Sequence, residues 1–201
     1  MNAQFRNVLL LVLLWLLSLL VRWPNLNRPL SKHHEFCTAV ALRVIQIWDQ
    51  EGIAKHKALP VMNYPGPSNK WINNFASGSG EMHDEEGNYY YISDPPLGYY
   101  LPYFTFQFLG IKINILAIQL FHCFLNLATV LLFYFLIKAL GNSSIAFLAA
   151  VFYLFNGASL WFQSNVYMSD MLVQVFFAST LSAYLKIQKS NSFGNRLLLA
   201  A

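Results

Sequence analysis

The chain is poor in charge. Lys and Arg number 13 and Asp and Glu 9 among 201 residues, or 11%, where a soluble globular domain carries about 25%. With 56% of residues apolar, there is too little polar surface to coat a water-soluble fold, and the composition points to several membrane-spanning segments. Cysteine is scarce as well. Cys37 lies in a polar segment and Cys123 in an apolar run, so a disulfide between them is not expected, and no CxxC metal or redox motif exists. Basic-aromatic clusters are also missing: the net charge of +4 is scattered along the chain, which argues against a nucleic-acid-binding face. There is no internal repeat and no low-complexity tract.

What the sequence does have is long apolar runs. Residues 8–21 are apolar apart from Ser18, and with their flanks they approach the ~17-residue minimum for a spanning helix. Arg6 in front resembles the basic start of a secretory signal. No small-x-small cleavage site follows, however, and the run ends on Val21, Arg22, Trp23 and Pro24, which favours an uncleaved helix with Trp23 as its interfacial anchor. Three further spans are expected at 116–137, 144–162 and 171–187. Arg6, Lys138, Lys186, Lys189 and Arg196 then fall on one side with no acid among them, and the positive-inside rule makes that side cytoplasmic.

All nine acidic residues fall in 24–97 and 163–170, which then face the periplasm or an equivalent lumen. The expected class is an all-α polytopic membrane protein of the inner, or plasma, membrane. Residues 1–23 form its first transmembrane helix, 24–115 an outward loop, and 116–201 helices two to four. From Arg196 onward the chain reads as the opening of a fifth helix, so the whole reads as the N-terminal part of a longer protein.

Within the outward loop, Phe36, Val40, Val44, Ile47 and Trp48 recur at helical spacing, with Thr38, Arg43, Gln46 and Gln50 mostly on the other side. A surface helix over 36–51 fits this pattern. Residues 60–80 are rich in Pro, Gly, Asn and Ser and read as an irregular loop anchored by Trp71 and Phe75. A small hairpin is expected around the turn 85–88. Asp94, Pro95 and Pro96 stop it, and a second surface helix follows over 97–110.

The candidate chemistry centres on Glu35, preceded by Lys32, His33 and His34. It lies near the start of the surface helix, with Ser31 available as a cap, and backbone N–H groups and the helix dipole there favour an ionised carboxylate. Such a group can accept a proton from an attacking hydroxyl or hold a cation. The plain alternative is an acid that only decorates a helix start. Asp170, behind Ser169 at the start of the fourth predicted span, falls on the same membrane face by the expected topology, so the two acids can divide the work or share a divalent metal. Arg28, Lys32, His33, His34 and Asp94 are candidate substrate-binding residues. Each also has an ordinary reading: snorkelling for the cations, a turn or cap for Asp94. The spans themselves offer His122, Asn126, Thr129 and Gln174 as polar groups, the feature a transporter or envelope-assembly subunit would show.

Together, His34 and Glu35 after the first span, the 36–51 helix, the segment Asp94, Pro95, Pro96, Leu97, Gly98, Tyr99, Tyr100, and the stretch Met168, Ser169, Asp170, Met171, Leu172 resemble the N-terminal half of a GT-C glycosyltransferase. That group includes protein O-mannosyltransferases and lipid A aminoarabinose transferases. The resemblance implies a polyprenyl-phosphate sugar as donor and inverting transfer to a hydroxyl outside the membrane, with Glu35 as general base or metal-binding equivalent and Asp170 assisting. His34 stands where the family motif has an Asp, and Asp94 where a His or Lys often precedes Pro-Pro.

Overall fold

A computed structural model describes residues 2–63, 81–91, 96–167 and 170–190. The expected loop anchors Trp71 and Phe75, the candidate Asp94 and the start of a fifth span at 196–201 lie outside them. The described chain is mostly helical: α1 Ala3–Arg22, α2 Phe36–Ile47, α3 Leu97–Leu109, α4 Ile115–Leu140, α5 Ser143–Phe155, α6 Gly157–Asn165 and α7 Asp170–Ser190, with strands β1 Glu81–His83 and β2 Tyr89–Tyr91.

Two stretches are long and apolar enough to cross a membrane, Ala3–Asn25 and Ile115–Leu140, and α5 with α6 qualifies as a third if the bent pair is one span. The sequence reading of a continuous span at 144–162 is therefore corrected. The chain bends by 60° between α5 and α6 because Asn156 leaves helical geometry, its backbone extended. Its side-chain Oδ1 accepts from the N–H of Ser159 at 2.9 Å, capping α6, while its Nδ2 donates to the Tyr153 carbonyl at 2.7 Å. An Asn-Gly pair inside an apolar run was the visible signal. The predicted fourth span is a helix, α7, but Gln174, Ser179, Thr180, Ser182 and Lys186 dilute it, and it is not among the stretches apolar enough to span.

The chain forms two compact units. The first comprises Met1–Leu26, His122–Asn165 and Asp170–Ala201. Its core packs Leu11 and Trp15 of α1 against Cys123, Val130 and Tyr134 of α4 and Ala146, Ala150 and Leu154 of α5. Ala146 and Ala150 lie one turn apart, and small side chains let helices approach where no water drives them together. Trp15 donates its indole N–H to the Cys123 carbonyl at 3.0 Å. Around this core Leu13, Leu16, Leu17, Leu20, Leu148, Phe152, Val173 and Phe177 are exposed. So much bare apolar surface is a liability in water and ordinary against lipid.

The second unit comprises Asn27–Phe121 and Val166–Ser169. Trp48 is its centre, fully buried. The Tyr100 ring stacks on it at 5.5 Å and Tyr103 meets it edge-on at 5.5 Å, while its N–H donates to the Leu59 carbonyl at 3.1 Å. These contacts seat α3 on α2. The α2 helix ends at Ile47 and passes into a π-helical turn, Trp48–Gly52. Its buried face also differs from the predicted stripe. Phe36 is exposed and Thr38 is buried, because the Thr38 hydroxyl accepts from the N–H of Tyr167 at 2.8 Å, a partner 129 residues away. The hairpin forms where the sequence placed it, with Met82 opposite Tyr90. The stretch before it adds a third rung, since Met62 N–H donates to the Tyr89 carbonyl and Tyr91 N–H to the Pro60 carbonyl. On α3 the buried face is Tyr99, Tyr103 and Phe106, and Leu97, Leu101, Phe104 and Phe108 form an exposed stripe at helical spacing. Gly110 ends it in the left-handed conformation at φ 62°.

Candidate functional site

Glu35 sits at the N-cap position of α2, but its side chain does not cap that helix. It turns back instead. One oxygen accepts from the backbone N–H of Ser31 at 2.9 Å, from that of Lys32 at 2.8 Å and from Arg28 Nη1 at 3.1 Å. The other accepts from Arg28 Nη2. The expected side-chain cap from Ser31 is thus replaced by its backbone N–H. The turn needs His34 in the left-handed region, φ 60°, a costly conformation for a residue with a Cβ that persists where surroundings over-determine it.

The Glu35 side chain is 1% exposed and that of Arg28 18%. Burial pushes the Glu35 carboxyl up, but the Arg28 guanidinium and the N–H groups of Lys32 and Ser31 outweigh it and hold the carboxyl below its usual value. The group is an ionised, fully coordinated carboxylate at neutral pH. A base so lowered is a weak one until Arg28 moves.

The other predicted residues are distributed as follows. Arg28 and the backbone of Lys32 are on Glu35. His33 and His34 are exposed, their rings edge to face at 3.8 Å, and His34 lies 6.0 Å from the Phe36 ring. Asp170 is exposed and opens α7 in the first unit, whereas Glu35 belongs to the second. Among the described residues no group of three or more His, Cys, Asp or Glu side chains forms a metal site. Cys37 and Cys123 are both thiols.

Beside the Glu35 turn, within the same unit, a cleft of about 470 Å³ is lined by Asn27, Leu30, Leu42, Arg43, Gln46 and Asn114. Its polar atoms are amides and one guanidinium, a set that meets hydroxyl groups as both donor and acceptor.

Two further polar clusters escaped the sequence reading. In the second unit the buried His56 ring lies 3.2 Å from Glu51 and 3.4 Å from the Tyr90 hydroxyl, which donates to Asp84 at 2.8 Å. Burial pushes the Asp84 carboxyl up, but hydrogen bonds from the Asn88 side chain and backbone, Tyr90 and the N–H of Glu86 bring it down to about 2. The Tyr90 hydroxyl is pushed up to about 12 by burial and by Asp84. In the first unit Arg22, read from sequence as a flank of the anchor, is 2% exposed. It donates through Nη1 to the Ser18 hydroxyl and through Nη2 to the Ser159 carbonyl at 3.4 Å. Nearby, Asn126 donates to Gln163, Gln163 donates to the Tyr153 hydroxyl, and Tyr153 donates to Gln174 at 2.6 Å. Only the presence of Asn126 and Gln174 in apolar runs hinted at this network.

Comparison with family models, with curated proteins and with solved structures finds no match to this chain.

Proposed function

We propose that the chain is part of a membrane glycosyltransferase that moves a sugar from a polyprenyl-phosphate donor to a hydroxyl on a lipid, glycan or protein. The reading places it in a bacterial inner membrane, N-terminus in the cytoplasm and site facing the periplasm. The observation that carries it is Glu35: a desolvated, ionised carboxylate at the start of α2, just past the first span, in the unit that also holds the amide-lined cleft. Further support comes from the order of elements. A spanning helix, an acid-bearing turn, a surface helix, a hairpin, a second surface helix, a spanning helix and an acid at a late helix start follow one another as the GT-C resemblance requires.

In the proposed reaction the acceptor hydroxyl oxygen attacks the anomeric carbon, the bond from that carbon to the donor phosphate breaks with inversion, and the polyprenyl phosphate leaves with the bonding electrons. The hydroxyl proton passes to Glu35. Arg28 must first leave the carboxylate, and its partly exposed guanidinium is suited to turn toward the donor phosphate. The resemblance gives Asp170 an assisting role.

Transfer of radiolabelled sugar from polyprenyl phosphate in membranes carrying the protein tests the reading. Glu35→Gln is expected to abolish transfer while expression and insertion persist, and undiminished transfer removes Glu35 from the mechanism. A second reading, a transporter or envelope-assembly subunit, draws on the buried Arg22, Asn126 and Gln163 and their link through Tyr153 to the exposed Gln174, since polar groups in spans mark pathways. Under it, Asn126→Leu abolishes function and Glu35→Gln does not.

A further inference from the structure

Arg22 occupies the last turn of the first spanning stretch, Ala3–Asn25. Arginine at such a place ordinarily extends its head to the lipid headgroups. Here it is turned inward and 2% exposed, which strands a full positive charge away from water. Among the described residues the ion pairs are Arg28 with Glu35 and Lys55 and His56 with Glu51; no carboxylate meets Arg22. The C-terminal end of α1 contributes a partial charge of roughly −0.5, about half of what neutrality needs.

The hydrogen bonding is incomplete in a particular way. Nη1 has the Ser18 hydroxyl and Nη2 a long contact to the Ser159 carbonyl, but Nε, a buried donor, has no acceptor. Asn126, whose Nδ2 lies 3.5 Å from the Ser159 hydroxyl, has a buried Oδ1 with no donor. A cationic donor and a neutral acceptor, both unmet and both on side chains that touch Ser159 through other atoms, match a ligand with an ionised oxygen and a protonated one.

We propose that Arg22, Ser18, Asn126 and Ser159 form a seat for a phosphate monoester, with an ionised oxygen on Arg22 Nε and a protonated oxygen on Asn126 Oδ1. A carboxylate neutralises the arginine but brings no hydroxyl for Asn126. A phosphodiester brings charge without the proton. A monoester has both, because its second ionisation lies near pH 6 in water and a buried site retains the last proton. The seat does not rest on the sugar-transfer reading and makes no use of Glu35.

The test uses the full chain in dodecyl maltoside micelles, with melting followed by tryptophan fluorescence. The probes are inorganic phosphate, phosphatidic acid as a lipid monoester, and phosphatidylcholine as a diester. A saturable rise in melting temperature is expected with phosphate or phosphatidic acid and not with phosphatidylcholine. A response to inorganic phosphate identifies a soluble ligand source, and a response to phosphatidic acid alone a lipid headgroup. Arg22→Gln is expected to raise the half-saturating concentration at least tenfold and Asn126→Leu several-fold, with Arg22→Lys in between. If Arg22→Gln does not fold, arginine-labelled wild-type protein gives the answer: the Nε–H resonance assigned through Arg22→Lys must move saturably with the probe. The proposal is overturned by a wild type that responds to neither monoester, by an equal response to phosphatidylcholine, by unchanged saturation in Arg22→Gln, or by a stationary Nε–H resonance.

Discussion

The pair Arg28 and Glu35 is asymmetric, and the asymmetry predicts which half tolerates removal. Glu35 is the buried member and Arg28 the partly exposed one. In Arg28→Gln the carboxylate keeps the two backbone N–H donors of Ser31 and Lys32 but loses its counter-charge where water cannot replace it. Removing one partner of a buried pair costs about 3–5 kcal/mol, and the two surviving donors put this site at the lower end, about 3 kcal/mol. In Glu35→Gln the amide oxygen still accepts from those N–H groups and the guanidinium turns to solvent, so the expected cost is the loss of charge-assisted bonds, about 1–2 kcal/mol.

At about 2–4 °C per kcal/mol for a chain of this length, Arg28→Gln lowers the melting temperature by roughly 6–12 °C and Glu35→Gln by roughly 2–8 °C. The measurement is thermal unfolding in detergent, with Trp48 at the centre of the same unit as reporter. Acidity separates them further. Because the folded Glu35 carboxyl is held below its usual value, its contribution is present above the unfolded carboxylate range, near pH 4.3, and is lost as pH falls through the folded value. Without Arg28 that loss begins at higher pH, and in Glu35→Gln it disappears. If Glu35→Gln destabilises more than Arg28→Gln, or the two variants melt alike with identical acid profiles, the argument from burial fails.

Asp84→Asn removes the anion that helps hold the Tyr90 hydroxyl near 12, so ultraviolet titration of phenolate is expected to show one tyrosine ionising at lower pH. The wild type, whose Asp84 folded value of about 2 lies below the ordinary 3.8, is expected to lose the hairpin contribution between about pH 4 and pH 2, and the variant is not. Asn156→Ala deletes the cap on α6 at a cost of about 1 kcal/mol, read as a melting shift of roughly 2–4 °C; an unchanged melting temperature would show that the bend holds without it.

Much of the layout is legible in the sequence. Periodicity and turn chemistry act over a few residues, so the first helix, helices near 36–51 and 97–110, the hairpin and the long helix from 115 emerged close to their structural positions. Glu35 was legible as an acid at a helix start. Its partner was not, because Arg28 reaches it only when His34 turns the chain through the left-handed region, and nothing in a histidine announces that conformation. Thr38 read as a polar-face residue for a related reason: its acceptor role depends on Tyr167, far along the chain.

The same division runs through the whole protein. Composition and apolar run length alone determined that this is a helical chain with two or three stretches long and apolar enough to cross a membrane, since the bilayer demands ~20 consecutive apolar residues and that demand is written locally. Tertiary packing decided which polar groups are buried and what they touch. Arg22 followed an apolar run like an ordinary anchor flank, yet in the structure it is enclosed with Ser18, Asn126 and Ser159. The sign of a residue's charge is encoded in one position, but its desolvation is set by neighbours that only folding brings to it.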